Sequence, residues 1–216
     1  SPYVLHITNK EQKKYWIPKL VSGEMVGGIA MTEPGAGSDL QAMRTSAILT
    51  GEHYVVNGSK TFISNGQHAG LIILAAKTNP NARAKGVSLL LVDTRLDGFK
   101  KGTNLEKIGM HCQDTSELFF DNLKVPKDQL LGNEGSGFAY LMQELPRERL
   151  GIAVTALGSI LGSMDITLDY VNERQAFGQS LGQMQNTRFT LAQAKIDALA
   201  TESFVRQCIE LYMQEK

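Results

Sequence analysis

Tyr54-Val55-Val56-Asn57-Gly58-Ser59-Lys60-Thr61-Phe62-Ile63 decides how the fold is read. Two runs rich in β-branched and aromatic residues flank an Asn-Gly pair. Both of its residues tolerate the positive φ of a type I′ turn, so the stretch predicts a β-hairpin turning at Asn57-Gly58. Outward from it, between Met25 and about Pro126, lie about eight short runs of the same texture, punctuated by Gly, Asn, Asp and Pro. Leu71 to Ala76 and Val87 to Val92 are the most apolar of them. No helical stretch long enough to cross between parallel strands separates the runs. The expectation is a mostly antiparallel sheet closing as a barrel or sandwich, and a doubly wound parallel sheet is excluded.

On the N-terminal side, Thr8-Asn9-Lys10-Glu11 has the spacing of a capping box with Thr8 as N-cap, opening a short helix that Pro18 and Gly23 close. On the C-terminal side the period changes after Gly137. Leu150, Val154, Leu157, Leu161, Met164 and Leu168 form one face of a long helix, opened by Pro146-Arg147-Glu148-Arg149 and ending near Gly178. A second helix is expected from Gln185 to about Glu215, with Phe189, Ala192, Ile196, Leu199, Phe204 and Leu211 on its apolar face and Asn186 or Thr187 near its start. A short connection predicts antiparallel packing, and apolar faces wider than one hairpin covers predict further helices from elsewhere. The fold class is therefore α+β, with residues 1–24 ending a helical region, 25–133 forming the β domain and 134–216 beginning a helical bundle.

The 216 residues are 42% hydrophobic, 20% charged and 7% aromatic, which excludes disorder, and 22 basic against 22 acidic residues give no net charge. A nucleic-acid partner is therefore not expected. Cys112 and Cys208 do not make a disulfide framework. Without CxxC, HExxH or a His/Cys cluster no metal site is expected. The contiguous apolar runs fall far short of the ~20 residues of a membrane span, so a soluble chain is expected. No targeting peptide is visible at the first residue, and the chain reads as a piece of a longer one.

Thr32-Glu33-Pro34-Gly35-Ala36-Gly37-Ser38-Asp39 follows a strand, and on composition alone it is a tight turn, with no lysine to complete a P-loop. Asn133-Glu134-Gly135-Ser136-Gly137 reads as a loop before a helix. Glu148 sits near a helix start between two arginines. Turned inward, its pKa is raised by desolvation and lowered by the helix terminus and guanidiniums, and both directions stay open. Glu144 is the rival carboxylate. His6, His53, His68 and His111 are scattered, and none accompanies a nucleophile motif.

Five ordered motifs then carry a resemblance that covers essentially the whole chain. They are Ala30-Met31-Thr32-Glu33-Pro34-Gly35-Ala36-Gly37-Ser38-Asp39, Asn57-Gly58-Ser59-Lys60-Thr61-Phe62-Ile63-Ser64-Asn65-Gly66, Gln113-Asp114-Thr115, Val125-Pro126 and Glu173-Arg174-Gln175-Ala176-Phe177-Gly178. Together they resemble the acyl-CoA dehydrogenase family, as its middle β domain and the start of its C-terminal helical domain. The resemblance implies FAD as cofactor, with Met31 and Thr32 flanking the isoalloxazine and Gly37 and Ser38 facing FAD phosphate or the acyl-CoA. Phe62, Ile63 and Ser64 match the segment that stacks on and hydrogen-bonds the flavin. Phe62 stands where many relatives have Trp, and Ser64 where they have Thr. Arg174, Phe177 and Gln185 match contacts to the adenine and diphosphate end, often on a neighbouring subunit. Arg149 matches a position near the CoA nucleotide or the active-site wall.

Leu145 to Leu150 is most similar to the long-chain branch, which implies Glu148 as the catalytic base. The implied reaction takes a fatty acyl-CoA to its trans-2-enoyl-CoA, with the α-proton removed by Glu148 and the β-hydride passed to flavin N5. Electron-transferring flavoprotein is the implied acceptor, a homotetramer the implied assembly, and bacterial cytoplasm or mitochondrial matrix the implied compartment. Two alternatives remain, an acyl-CoA oxidase on the same motifs and a non-catalytic FAD-binding or assembly fragment.

Overall fold

The structure, a computed structural model, describes residues 2–214. The chain divides into two compact units, residues up to Glu144 and residues from Leu145 onward.

The first unit is built on an eight-stranded sheet. Ahead of the sheet come α1 (Pro2–His6) and α2 (Lys10–Ser22). Its strands are β1 (Val26–Ala30), β2 (Ser46–Thr50), β3 (His53–Ser64), β4 (Ala69–Lys77), β5 (Val87–Asp93), β6 (Phe99–Asn104), β7 (Thr115–Pro126) and β8 (Leu130–Leu131). The spatial order is β6-β7-β3-β2-β4-β5-β8, with β1 paired to β4 beside this path. Pairing is mostly antiparallel, as expected; β1 and β4 run parallel, and β2 joins β4 through the single parallel pair Ser46 and Lys77. That thin join lets the sheet fold over. One core cluster contains Leu90 and Val92 of β5 together with Leu118, Leu123 and Val125 of β7, strands separated by three others in the sheet order. The result is a sandwich and not a closed barrel, since the sheet order has two ends at β6 and β8. The opposite face of β4 and β5, with Leu71, Ile73, Leu89 and Leu91, packs with Tyr3, Val4, Trp16 and Leu141 from the helices.

The Asn57-Gly58 turn does not exist. β3 runs unbroken through it, paired on one side with β2 and on the other with β7. The chain reverses instead at Gly51-Glu52, between Thr50 and His53, with Gly51 at φ 62°. Two flanking strands satisfy the backbone of Asn57-Gly58 better than a turn would, and local turn propensity yields to that pairing. Gly58 is still required, for a different reason. It has φ 147°, and a Cβ there would lie 2.5 Å from Thr45 Oγ1 and 2.7 Å from Thr45 Cα.

Other local expectations also shift. The capping box of α2 is one residue later: Asn9 Oδ1 accepts from the Gln12 amide at 2.8 Å, and Gln12 Oε1 accepts from the Asn9 amide at 3.1 Å. Thr8 instead donates its hydroxyl to the Val4 carbonyl. Pro18 lies inside α2, and Gly23 alone ends it, at φ 77°.

Likewise Pro146 does not open the long helix. α3 spans Gly137–Glu173 with Pro146 in its interior, so Glu148 lies more than two turns from the helix start. The favourable field of a helix terminus fades within the first turn and does not act on Glu148. The missing amide of Pro146 leaves the Met142 carbonyl without its usual helical donor. The helix stops five residues before Gly178, and a small antiparallel hairpin follows, β9 (Gln175–Ala176) and β10 (Gln179–Ser180).

In the second unit the helices are antiparallel. The early α3 residues Leu150 and Ala153 share a groove with Leu211 and Tyr212, late in α4 (Gln185–Met213), while Met164 and Val171 share another with Leu191 and Ala192. The expected end of α4 near Glu215 lies outside the described residues. No side chain caps its start, and the N-cap is Met184, not Asn186 or Thr187. The apolar face predicted for α4 is divided: Ala192 and Leu211 line the grooves shared with α3, while Phe189 is 64% exposed and Phe204 67%. Ala198 and Val205 are the residues it buries. α4 is apolar on more than one side, and this hairpin leaves part of the predicted face uncovered.

By length and composition α3 is also apolar enough to cross a membrane. Counting contiguous apolar runs missed this, because Gly, Ser and Thr interrupt the runs without adding charge.

Candidate active site

The edge where β1 ends and β3 bulges gathers most of the residues singled out in the first unit. Past Ala30 the chain leaves β1, and two adjacent tethers hold it to β3. The Lys60 ammonium donates to the Met31 carbonyl at 2.8 Å, and the Thr61 amide donates to the Thr32 carbonyl at 2.9 Å. The register between β3 and β7 slips between Lys60 and Ile63, so Thr61 and Phe62 form a β-bulge. Phe62 sits in the bulge at φ 59°, a conformation rare for an aromatic residue, and the residue is 66% exposed. Backbone strain of this kind costs about 1–3 kcal/mol and persists where the surroundings impose it. Ile63 is buried beneath the bulge while Ser64 is exposed beside it. Met31, Thr32, Phe62, Ile63 and Ser64 thus converge on one edge of the sheet.

The third motif buttresses the second. Asn65, at φ 62°, donates to the Gly27 carbonyl at 3.1 Å and accepts from the Gln113 side-chain amide at 2.9 Å. Asp114 accepts from the Gln67 backbone amide at 2.7 Å and lies 3.1 Å from His68 Nδ1. Burial pushes the Asp114 carboxyl up, but the Gln67 amide and His68 outweigh it, and the net pKa is below the ordinary carboxylate value.

The loop after Thr32 is a turn, Glu33-Pro34-Gly35-Ala36, closed by reciprocal backbone hydrogen bonds of 2.9 and 3.0 Å between Glu33 and Ala36. Gly37 and Ser38 follow it, exposed. Glu33 turns inward. Its carboxylate meets Lys60 at 2.9 Å and accepts from the amides of Arg44 at 2.6 Å and Thr45 at 3.0 Å. The Lys60 side chain has no solvent exposure and that of Glu33 only 7%. Burial raises the Glu33 pKa, yet the Lys60 charge and the two amides together hold it below the ordinary value; burial likewise lowers the Lys60 pKa, against the opposing pull of Glu33. Both residues lie within the sequence motifs, which by themselves give neither a role. The available signal was a lysine at the inward parity of Tyr54 and Val56 on an apolar strand, which demands a buried partner.

In the second unit, Arg174, Phe177 and Gln185 flank the small hairpin. Phe177 and Gly178 form its turn at φ 52° and 78°, and Phe177 is 97% exposed. Arg174 and Gln185 are exposed as well. Glu148 is half-buried on α3, with Arg147 and Arg149 exposed on either side. Glu144, the rival carboxylate, is committed elsewhere in the first unit: it is buried and lies 3.0 Å from His6 Nδ1. The loop Asn133 to Gly137 is tied to the sheet, where Tyr54 donates to Glu134 at 3.2 Å and the Gly135 amide donates to Ser88 at 2.8 Å. Among the described residues no three His, Cys, Asp or Glu side chains gather into a metal site.

A curled, mostly antiparallel sheet presenting an exposed aromatic ring beside hydroxyls and backbone, and followed in sequence by long helices, defines a class of two-part proteins with a β domain and a helical domain. The acyl-CoA dehydrogenase middle-domain model matches residues 28–123, and the C-terminal-domain model of the same family matches residues 135–216. The chain belongs to the acyl-CoA dehydrogenase family. It is 46% identical to the mitochondrial long-chain specific acyl-CoA dehydrogenase of Rattus norvegicus over 98% of its own length and 50% of that protein. Among solved structures it is similar to an acyl-CoA dehydrogenase from Geobacillus kaustophilus, at a TM-score of 0.98 and 46% identity, covering all of this chain and 57% of the other. It is also similar to PigA, solved with FAD and proline, at a TM-score of 0.94 and 28% identity, covering all of this chain and 56% of PigA. The chain spans about half the length of the curated relatives it matches. The C-terminal-domain match includes the whole of α3.

Proposed function

We propose that this chain is the flavin- and thioester-binding part of an acyl-CoA dehydrogenase that converts a fatty acyl-CoA to its trans-2-enoyl-CoA. The observation that carries the reading is the convergence of Met31-Thr32 with Phe62-Ile63-Ser64 on one edge, with the Phe62 ring held outward at positive φ. An exposed aromatic face beside a thioether and two hydroxyls is a donor and stacking set that suits a flat heteroaromatic ring bearing carbonyl and N–H groups. The residues present fit FAD. Met31, Thr32, Phe62, Ile63 and Ser64 would hold its ring, Gly37 and Ser38 would face its phosphates or the acyl-CoA, and Arg174, Phe177 and Gln185 would serve its adenine and diphosphate end. When bound, FAD supplies a two-electron acceptor for the hydride from the substrate β-carbon.

The protein's own work is proton removal and orientation. Glu148 accepts the α-proton at its carboxylate, a general-base step worth roughly 10²–10⁴-fold in rate. Arg149 lines the CoA side. The sheet domain, residues 25–133, carries the ring site, and residues 134–216 begin the helical domain carrying the base. Similarity to a long-chain enzyme supports a long acyl chain, and mitochondrial and bacterial relatives support either matrix or bacterial cytoplasm. Electron-transferring flavoprotein as acceptor and a homotetramer as assembly complete the proposal.

The test is the visible spectrum of the purified chain before and after FAD, followed by anaerobic addition of a long-chain acyl-CoA. Flavin bands that bleach support the reading. Bands that persist in this chain, and also in the full-length parent, count against Glu148 as base. No flavin uptake sinks the ring-site assignment. Oxygen consumption after bleaching would turn the reading toward an oxidase.

A further inference from the structure

We infer that Lys60, with Glu33, is a positioning residue that clamps the two halves of the flavin face into one surface; this rests on reading residues 31–32 and 61–64 as that face. The geometry is a two-point clamp. Consecutive residues Lys60 and Thr61 hold the carbonyls of consecutive residues Met31 and Thr32, at 2.8 and 2.9 Å, immediately before the strained Phe62. A carbonyl held by an ammonium forms a charge-assisted hydrogen bond, stronger than one to a neutral donor. Glu33 extends the clamp. Its carboxylate binds Lys60 and also the amides of Arg44 and Thr45, next to the start of β2, so one ammonium links the end of β1, the turn after it and the entry to β2 to the bulge of β3.

A buried ion pair is weak evidence for stability, because apolar side chains of similar volume do as well. What an apolar pair does not supply is a donor to the Met31 carbonyl. Lys60 touches neither ring nor thioester in this reading. It acts through the position of Met31, Thr32 and Phe62.

Lys60→Met keeps the stem and removes the ammonium. In the apo chain, hydrogen exchange at the amides of Arg44, Thr45 and Thr61 should speed up, while Ile72 to Ala76 and Leu89 to Val92 in the core keep their protection. The FAD dissociation constant should rise about tenfold or more, and the vibronic structure of the bound flavin band should change. Lys60→Met with Glu33→Gln separates positioning from structure, because Gln removes the unpaired buried charge. The double variant should recover thermal stability while its flavin affinity and band shape stay altered.

Recovery of affinity and band shape together with stability overturns the positioning role, as does a single variant that binds FAD with unchanged affinity and spectrum. If Lys60→Met does not fold, the double variant is read against the unsubstituted chain. No FAD uptake by the unsubstituted chain overturns the flavin reading and this inference with it, whereas uptake lost only in the variants upholds both.

Discussion

Gly58→Ala separates the observed strand from the hairpin turn that the sequence suggested. In a two-residue turn, Ala at a positive-φ position costs about 1 kcal/mol of strain. In the strand, two costs combine. A φ of 147° lies in territory essentially confined to glycine, worth about 1–3 kcal/mol. The added methyl also meets Thr45 at 2.5 to 2.8 Å through Oγ1, Cα and Cβ. Thr45 is 1% exposed and its Cα is backbone, so it has little room to give, and overpacking of this kind costs about 1–3 kcal/mol. Together the loss is about 2–6 kcal/mol, a large part of the 5–15 kcal/mol typical of a domain. Trp16, the one tryptophan, is buried in the first unit, so its fluorescence in urea reports that unit alone. With a slope of about 1–3 kcal/mol/M, the midpoint should fall by about 1–2 M or more. A loss under about 1 kcal/mol would mean that Thr45 moves aside freely or that the turn exists, and the strand reasoning would be wrong.

Gly158→Ala should do the reverse: nothing lies within 4 Å of a Cβ there, and Ala in a helix interior gains about 0.5–1 kcal/mol, seen as a higher melting temperature at 222 nm. Acid should unfold the first unit through Glu33 and Asp114. Both folded-state pKa values lie below the unfolded ones, so the stability they add is complete above about pH 5 and is lost as pH falls through the folded values. A Trp16 unfolding midpoint that stays flat from about pH 5 to 3 would contradict this. The Tyr54 phenol, pushed up to about 12 by burial and by the charge and hydrogen bond of Glu134, should give a late step in the 295 nm titration, and Glu134→Gln should bring that step down.

Composition and texture were enough to read the class of the fold, because strand runs and helix periods are properties of whole segments. Boundaries failed where a neighbour outside the local window decided. Asn57-Gly58 has the chemistry of a turn but receives β2 and β7 on its two sides. Pro146 has the chemistry of a helix start, yet Gly137 begins the helix because Phe138 and Leu141 pack with the core on α1 and α2. On α4 the period marks a face that α3 covers at Ala192 and Leu211 but leaves open at Phe189 and Phe204. Site residues became legible only through the ordered motifs. No periodicity brings Met31 beside Thr61, and the residue that joins them, Lys60, looks like ordinary surface charge until its side of the strand is counted.

The two irregularities in the β3 and β7 pairing explain why that counting is difficult. Between Val56 and Gly58 the register slips by one residue, with the extra residue on β7, where Asn122 takes φ 50° and its amide donates to Asn57 Oδ1 at 2.8 Å. Between Lys60 and Ile63 it slips back by one, with the extra residue now on β3. The slips cancel, so Ser64 again faces Thr115 as though none had occurred. A single bulge would turn every later side chain to the other face. The compensated pair confines the change of register to the few residues between, while the inward side switches once on each strand, from Tyr54, Val56 and Lys60 to Ile63 on β3 and from Leu118 and Phe120 to Leu123 and Val125 on β7. Within them Lys60 keeps the inward side, Phe62 is driven outward at a strained φ, and Ile63 returns to the core. An aromatic ring can then stand on the surface one residue before a fully buried isoleucine, with an ammonium fixed beneath the same edge. Deleting Asn122 should therefore do more than loosen a distant loop. With only the β3 bulge left, the pairing must re-register, and hydrogen exchange at Ile63, Ser64 and Thr115 should rise well above that of β4. If exchange rises only around Asn57 and Asn122, the two bulges are independent and the site edge does not depend on their cancellation.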